Sequence, residues 1–353
     1  MPYLALFLFI LMLAFSCSKS NDEMPKISDP VQLNDTIFLY DTIQSFDTLF
    51  IFTTIISTDT IVTIDTIITQ DTSEFSYLFK HYELESYEVL FYTINKQRSP
   101  RKVCKMRSDA LHIDILEEGN KMYPVWSPEE DYIFYIDLDN LSIAKRNLIN
   151  GEVEHIYQID RNIKFLRYFP ARDLFLVSYE EWGLSKIGAI DYVNNKFFEL
   201  SSPGADEYNP TTSETDDWIY FSRMNNGTSD IFRRKLDNRT EEEVYIDPEF
   251  NLSTFSVSAD GKFLITPKYI NGKGFIVFYD INRHEIIHEL ELPVEGHPLY
   301  ATLSRDNKAI FFVNGISYDY TESRNIYRMG LDKTQLFKMT GFTDQLASRP
   351  LVK

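Results

Sequence analysis

Apolar and polar positions along most of this chain fall into short runs separated by turn residues. The clearest stretch is Ser258-Ala-Asp-Gly-Lys-Phe-Leu-Ile-Thr266, where Asp260-Gly261 marks a tight turn and Phe263, Leu264 and Ile265 form an apolar run too short for a helix. Asn271-Gly272 turns the chain again. Phe275 to Tyr279 then reads as a second strand, and after Asn282-Arg283 the stretch Ile286 to Leu292 alternates apolar with polar residues. The pattern predicts a small antiparallel meander.

The same pattern recurs. Ser127-Pro-Glu-Glu-Asp-Tyr-Ile-Phe-Tyr, Phe169-Pro-Ala-Arg-Asp-Leu-Phe-Leu-Val, Ser213-Glu-Thr-Asp-Asp-Trp-Ile-Tyr-Phe and Ser304-Arg-Asp-Asn-Lys-Ala-Ile-Phe-Phe all align with the Ser258 stretch, at steps of 42, 44, 45 and 46 residues. A period of about 40 to 45 residues with several strands per copy is the sequence signature of propeller blades. One step back, Leu84 and the following Glu88-Val-Leu-Phe-Tyr form a weaker first copy, which makes six in all. Ser348-Arg-Pro-Leu-Val-Lys353 looks like one more inner strand, with Pro350 matching Pro124; it would complete the blade begun near Tyr77 and leave no open sheet edge.

A stricter repeat precedes the meanders. Asp35-Thr-Ile, Asp41-Thr-Ile, Asp47-Thr-Leu, Thr53-Thr-Ile, Asp59-Thr-Ile, Asp65-Thr-Ile and Asp71-Thr follow one another every six residues. On a helix a step of six would rotate each copy away from the last, and Thr and Ile disfavour helix besides. On a strand six is even, so each Asp and its following Ile keep one face. The hexads are therefore expected to be β, as an extended stalk, a local hairpin or sheet, or a left-handed β-helix. Fully extended, the segment from Ser18 to Glu74 would reach about 190 Å.

The chain's start changes the picture again. Its first 16 residues carry no charged side chain, and Tyr3 to Phe15 is an apolar run too short for a bilayer span but suited to a signal peptide. Ser16-Cys17 at the end of that run resembles the lipobox of bacterial lipoproteins, which implies that Cys17 is the lipidated first residue of the mature chain. The expected organisation is a lipoprotein signal peptide at 1–16, a flexible tether at 17–34, a hexapeptide-repeat stalk at 35–74 and a propeller at 75–353. With Ser18, not Asp, after Cys17, the lipoprotein resemblance implies outer-membrane sorting over inner-membrane retention, and Asp22 and Glu23 close behind resemble a signal for display on the outer face.

The meanders also carry a resemblance. A proline before the inner strand (Pro124, Pro210), a serine-acidic-turn unit, and an isoleucine-aromatic pair near Asp, as in Asp230-Ile-Phe and Asn325-Ile-Tyr, are similar to the repeat of TolB-type, WD40-like β-propellers. That resemblance implies an all-β, six-bladed propeller. It implies no single function, because propellers of this kind host unrelated activities.

Composition fits an exported β protein: aromatic residues make up 15% of the chain, which suits strands stacked face to face. The net charge of −18 argues against nucleic acid or an anionic lipid surface as a partner. Membrane association is then expected through the lipid anchor only.

Candidate chemistry is thin. His284-Glu-Ile-Ile-His288 has the letters of a zinc-protease motif, but those roles need a helix. Here the letters straddle a turn and a strand, where residues four apart lie about 13 Å from each other. No metal and no cofactor are expected. The remaining histidines, His81, His112, His155 and His297, are scattered, and Asp131, Asp173, Asp217, Asp260 and Asp306 recur because turns favour Asp. Cys104 reads as a semi-buried strand residue without a disulfide partner. Thr36, Thr42, Thr48, Thr60 and Thr66 sit in Asp-Thr-aliphatic triplets that resemble the O-glycosylation acceptor of some bacterial groups. The alternative is that the periodic Asp residues alone protect an aggregation-prone segment.

The channel mouth and the loops of one face are the default binding surface of a propeller. Tyr123, Trp126, Tyr208, Tyr300 and Arg349 flank the inner strands and are the candidate lining. The leading expectation is a non-enzymatic, lipid-anchored binding or scaffolding module with a protein or glycan partner. The alternative is a propeller enzyme, a polysaccharide lyase or hydrolase, with its site in the central channel.

Overall fold

The computed structural model describes residues 79–95, 100–109, 112–225, 227–245, 254–315 and 323–353 in full, and the backbone of four strands between residues 31 and 68. Cys17 and Thr60 lie outside the described residues, as do the side chains of Thr36, Thr42, Thr48 and Thr66. The chain divides into two units, Met1–Ser76 and Tyr77–Lys353.

In the first unit the hexads are β, and of the three forms open to them they take the antiparallel sheet. Strands β1 (Val31–Leu33), β2 (Thr36–Ser45), β3 (Thr48–Ile56) and β4 (Ile61–Ile68) pair in chain order. The physical reason is that a single extended strand leaves every backbone donor and acceptor to water, whereas folding back pairs them. The longest of these strands has 10 residues, about 33 Å. Register sets Thr42, Ile51 and Thr66 in one row and Asp41, Phe52 and Asp65 in the next.

The second unit is built from meanders. Its first strands are β5 (Glu88–Asn95), β6 (Arg101–Arg107) and β7 (Ile113–Gly119), and then come β8 (Lys121–Trp126), β9 (Tyr132–Asp137), β10 (Ser142–Asn147) and β11 (Val153–Gln158). The next two meanders are β12 (Asn162–Phe169), β13 (Leu174–Glu181), β14 (Leu184–Asp191), β15 (Lys196–Glu199), and β16 (Glu207–Thr211), β17 (Trp218–Asn225), β18 (Thr228–Lys235), β19 (Glu241–Tyr245). The last are β20 (Ser256–Val257), β21 (Phe263–Ile270), β22 (Lys273–Asp280), β23 (Glu285–Glu291), and β24 (His297–Leu303), β25 (Ala309–Gly315), β26 (Arg324–Gly330), β27 (Phe337–Lys338), followed by β28 (Gln345–Val352).

Strands β8 to β23 form four separate four-stranded sheets in chain order. The remaining eight strands make one continuous sheet, but its two halves meet only at a single parallel bridge, Arg324 to Leu346. One half is β24 to β27; the other is β28, β5, β6 and β7. Counted so, the described strands of this unit fall into six sets of four. The tail supplies the innermost strand of the first set: β28 runs antiparallel to β5, from Gln345 opposite Asn95 to Val352 opposite Val89.

In three of the meanders the recurring serine explains why the chain turns where it does. The Ser258 amide donates to the Phe263 carbonyl while its Oγ accepts from the Phe263 amide at 2.9 Å. Ser304 does the same with Ala309 at 3.0 Å, and Ser127 with Tyr132 at 3.2 Å. One hydroxyl thus closes the turn between the two inner strands. Phe169 lacks a hydroxyl, and there the chain turns through a short 3-10 segment, Pro170–Arg172, with Asp173 in the left-handed region.

The core lies between neighbouring sheets. Leu176, Ile187 and Ala189 of the third set pack on Ile219 and Phe221 of the fourth, and Tyr220 and Ile231 of the fourth on Leu264 and Tyr279 of the fifth. The sixth set closes on the first through Phe311, Val313 and Ile326 against Val89, Phe91 and Ala347. Middle strands are therefore buried on both faces, as all of β25 is, while outer strands such as β11 are largely exposed.

The fourth set also buries charge. Glu207, fully buried, receives Arg223 at 2.6 Å and Arg234 at 3.0 Å, and Glu241 bridges the same two arginines. Two cations meet two anions, so the burial is compensated.

Removing residues 344–353 strips the inner strand from β5 and is expected to lower the melting temperature of the second unit by about 10 °C or more, as read by circular dichroism. Hydrogen bonds from Arg223, opposed by desolvation and aided by Arg234, hold Glu241 below its ordinary pKa of 4.5. A depressed carboxylate contributes stability above its ordinary pKa and loses it as pH falls through the lowered value. Glu241→Gln is therefore expected to flatten the fall in melting temperature between about pH 5 and pH 3.

Candidate functional site

The six innermost strands converge on one cavity of about 50 Å³. Each contributes: Tyr123 and Pro124 on β8; Phe165, Leu166 and Arg167 on β12; Asn209 and Thr211 on β16; Ser256 on β20; Tyr300 and Thr302 on β24; Arg349 and Leu351 on β28. A cavity touched by the first strand of every meander lies on the axis they share.

The backbone has a device that aims these side chains. Pairing between first and second strands breaks register at Met122/Val125, Tyr208/Thr211, Leu299/Thr302 and Ser348/Leu351. Within each break one residue takes a positive φ: Tyr123 at 52°, Asn209 at 52°, Tyr300 at 50° and Arg349 at 52°. For a side chain larger than glycine the left-handed region costs about 1–2 kcal/mol per residue. Three of the four are followed by proline, Pro124, Pro210 and Pro350, which has no N–H to miss from the ladder. The bulge thus turns one large side chain per strand off its sheet and toward the axis.

No family model and no curated protein matches the chain. Solved structures do. TolB from Acinetobacter baumannii is 14% identical, covers 90% of this chain and 82% of its own, and superposes with a TM-score of 0.61. A putative TolB from Agrobacterium tumefaciens is 12% identical over 76% of this chain and 99% of its own, with a TM-score of 0.57. A chain of a nidogen/laminin complex is 10% identical over 76% and 98%, with a TM-score of 0.59. The fold is a TolB-like β-propeller. At these identities the likeness extends to the fold alone.

Of the residues expected at the channel mouth, the propeller brings Tyr123, Tyr300 and Arg349 together in its axial cavity. Trp126 and Tyr208 do not line it. The Trp126 indole donates to the Leu351 carbonyl at 3.4 Å under the Lys353 ammonium and packs with Leu90 and Tyr135 between the first two sets. The Tyr208 hydroxyl bonds to Ser229 inside its own sheet; the bulge gives the axial place to the next residue, Asn209. Asn209-Pro210 repeats the pattern of Tyr123-Pro124 and Arg349-Pro350, so that signal was present in the chain. Phe165 and Arg167 carry no comparable mark.

Arg349 organises the cavity. Its guanidinium lies 5.2 Å from the centre of the Tyr123 ring, 4.6 Å from Phe165 and 4.7 Å from Tyr300, and its Nη2 donates to Asn209 Oδ1 at 3.1 Å. Cation–π contact with three rings fixes it in place. Behind this group Tyr92 stacks edge-on with Tyr123 at 5.2 Å, and burial pushes its pKa well above the ordinary value, so it keeps its proton.

Arg167 is different. Part of it is exposed to the cavity, and its guanidinium makes no hydrogen bond or ion pair with a described residue. Burial and then repulsion from Arg349 lower its pKa to about 10, with Glu214 opposing. Glu214 is itself paired with Arg305 at 2.7 Å. Arg167 therefore remains a cation at neutral pH without a carboxylate of its own.

Other sequence candidates fall elsewhere. His284, at a φ of 57°, sits in the turn before β23, and His288 lies within that strand against Phe79. His81 pairs with Asp332 at 2.7 Å, His155 with Ser142 at 2.7 Å. Among the described residues no group of three or more His, Cys, Asp or Glu is placed to hold a metal ion. Cys104 is buried, and burial pushes its thiol pKa up to about 12.

The bulge account makes a paired prediction at Asn209. Valine and glycine there both lose the bond to Arg349, but only valine pays for the left-handed backbone. Asn209→Val is expected to be about 1–2 kcal/mol less stable than Asn209→Gly in denaturant unfolding.

Proposed function

We propose that this chain is a non-enzymatic binding or scaffolding propeller, lipid-anchored at Cys17 to the bacterial outer membrane and engaging a protein or glycan through its channel mouth and blade loops. The six sets of four strands are its blades. The observation that carries the reading is the lining of the axial cavity: two tyrosines, two phenylalanines, an asparagine and two arginines, with no carboxylate, imidazole or thiol. Side chains of this kind recognise a partner through large rigid rings and fixed donors. General acid–base catalysis works best with a group that exchanges a proton near neutral pH; burial raises the pKa of Tyr92, and Arg167, though lowered to about 10, is still protonated there.

Among the structural neighbours that bear on the enzyme alternative is an oligogalacturonate lyase in complex with manganese, 13% identical with a TM-score of 0.50. That likeness is of fold. The anchor reading rests on the apolar run Tyr3 to Phe15 and on Ser16-Cys17. Among the described residues no helix is long and apolar enough to cross a membrane.

Two measurements test the proposal. Expressed in a bacterial host that processes lipoproteins, the wild-type chain is expected to partition into detergent and Cys17→Ser into the aqueous phase; detergent partition of both would remove the anchor. Affinity capture from an outer-membrane extract is expected to return one partner whose recovery falls at least tenfold with Arg349→Ala. Turnover of a polysaccharide or peptide by the purified wild-type chain would sink the non-enzymatic reading.

A further inference from the structure

The charges inside the propeller are not evenly compensated. In the fourth blade Arg223 and Arg234 face Glu207 and Glu241, cation for anion. At the axis Arg349 is held by three rings and Asn209. Arg167 beside it has neither arrangement, and the lining offers it no anion. This occurs in a chain of net charge −18. A guanidinium held in a cleft without a counter-ion is costly, and a narrow cleft of one sign focuses its field on whatever enters.

We infer that the axial cavity is a binding site for a single carboxylate, the free C-terminus of an extended peptide, with Arg167 as its principal ligand. This deepens the reading of the chain as a binding module and rests on it. Three observations narrow the ligand.

Charge comes first. Arg167 is the guanidinium whose donors no described residue takes up, and a carboxylate would fill them. Geometry agrees, since the planar fork of arginine matches a carboxylate with two parallel hydrogen bonds.

Size is the second constraint. The cavity is small, about 50 Å³, and suits a carboxylate on a slim stem better than one carried directly on a pyranose ring. A peptide terminus brings only its Cα.

The third is the character of the walls. Phe165, Tyr123 and Tyr300 present ring surface around the position of the stem, and the hydroxyl-bearing Thr211 and Thr302 complete the polar side. An extended chain leaving such a pocket would run out along the propeller axis to its mouth.

The experiment uses the full chain and isothermal titration with acetate, triglycine, triglycine amide, inorganic phosphate and galacturonate. Triglycine and acetate are expected to compete for one site, amidation to weaken triglycine at least tenfold, and Arg167→Gln to weaken both anions at least tenfold. In the unliganded protein Arg167→Gln is expected to raise the melting temperature, because it removes an uncompensated charge that a structural arginine would not be. Absence of binding by both acetate and triglycine, equal binding of the amide, tighter binding of phosphate or galacturonate, or a lower melting temperature for Arg167→Gln would each overturn the inference. Its failure is separable from that of the binding-module reading. If Arg167→Gln captures the envelope partner as well as wild type, the carboxylate site falls alone; if wild type binds triglycine yet captures nothing, the partner-binding reading falls alone.

Discussion

One antiparallel ladder holds the second unit together. β28 is the last strand in the chain, and it lies on β5, the first of the meanders. Without it the first set would expose a raw inner edge to the axis. With it, Ala347 joins Phe91 and Phe311 in a core shared by the first and sixth sets. Every interface between blades then has a partner on both sides, so no single meander has to bury its apolar faces alone.

Closure also creates the site. Arg349 is on the closing strand, and it reaches Tyr123 of the second set, Phe165 of the third, Asn209 of the fourth and Tyr300 of the sixth. The same strand that seals the ring thus carries the side chain around which the axial cavity is arranged. Stability and recognition are coupled at this point, and strained left-handed residues at Tyr123, Asn209, Tyr300 and Arg349 are tolerated because four bulges face one another across it.

Much of this was readable from the chain. The serine anchors at Ser127, Ser258 and Ser304 mark the turn after an inner strand because one hydroxyl closes that turn, and the proline pattern marks the bulges because proline loses nothing where the ladder is already broken. Reading Tyr208 rather than Asn209 into the channel came from treating the inner strand as regular; a bulge shifts the facing by one residue, and only Pro210 shows where. Arg167 was not legible, since its significance is the absence of a counter-charge, which depends on five other strands. The hexads were legible as β but not in their pairing, because a repeat of six fits an extended strand and a folded sheet equally well.

Amide hydrogen exchange at Leu346 and Ala347 tests the closed ring most directly. If β28 is an integral inner strand, these amides exchange only with global unfolding, as slowly as those of Phe311 and Phe312 at the centre of β25. Exchange at Leu346 and Ala347 orders of magnitude faster than at β25, in otherwise folded protein, would show a ring that is open where this account needs it shut.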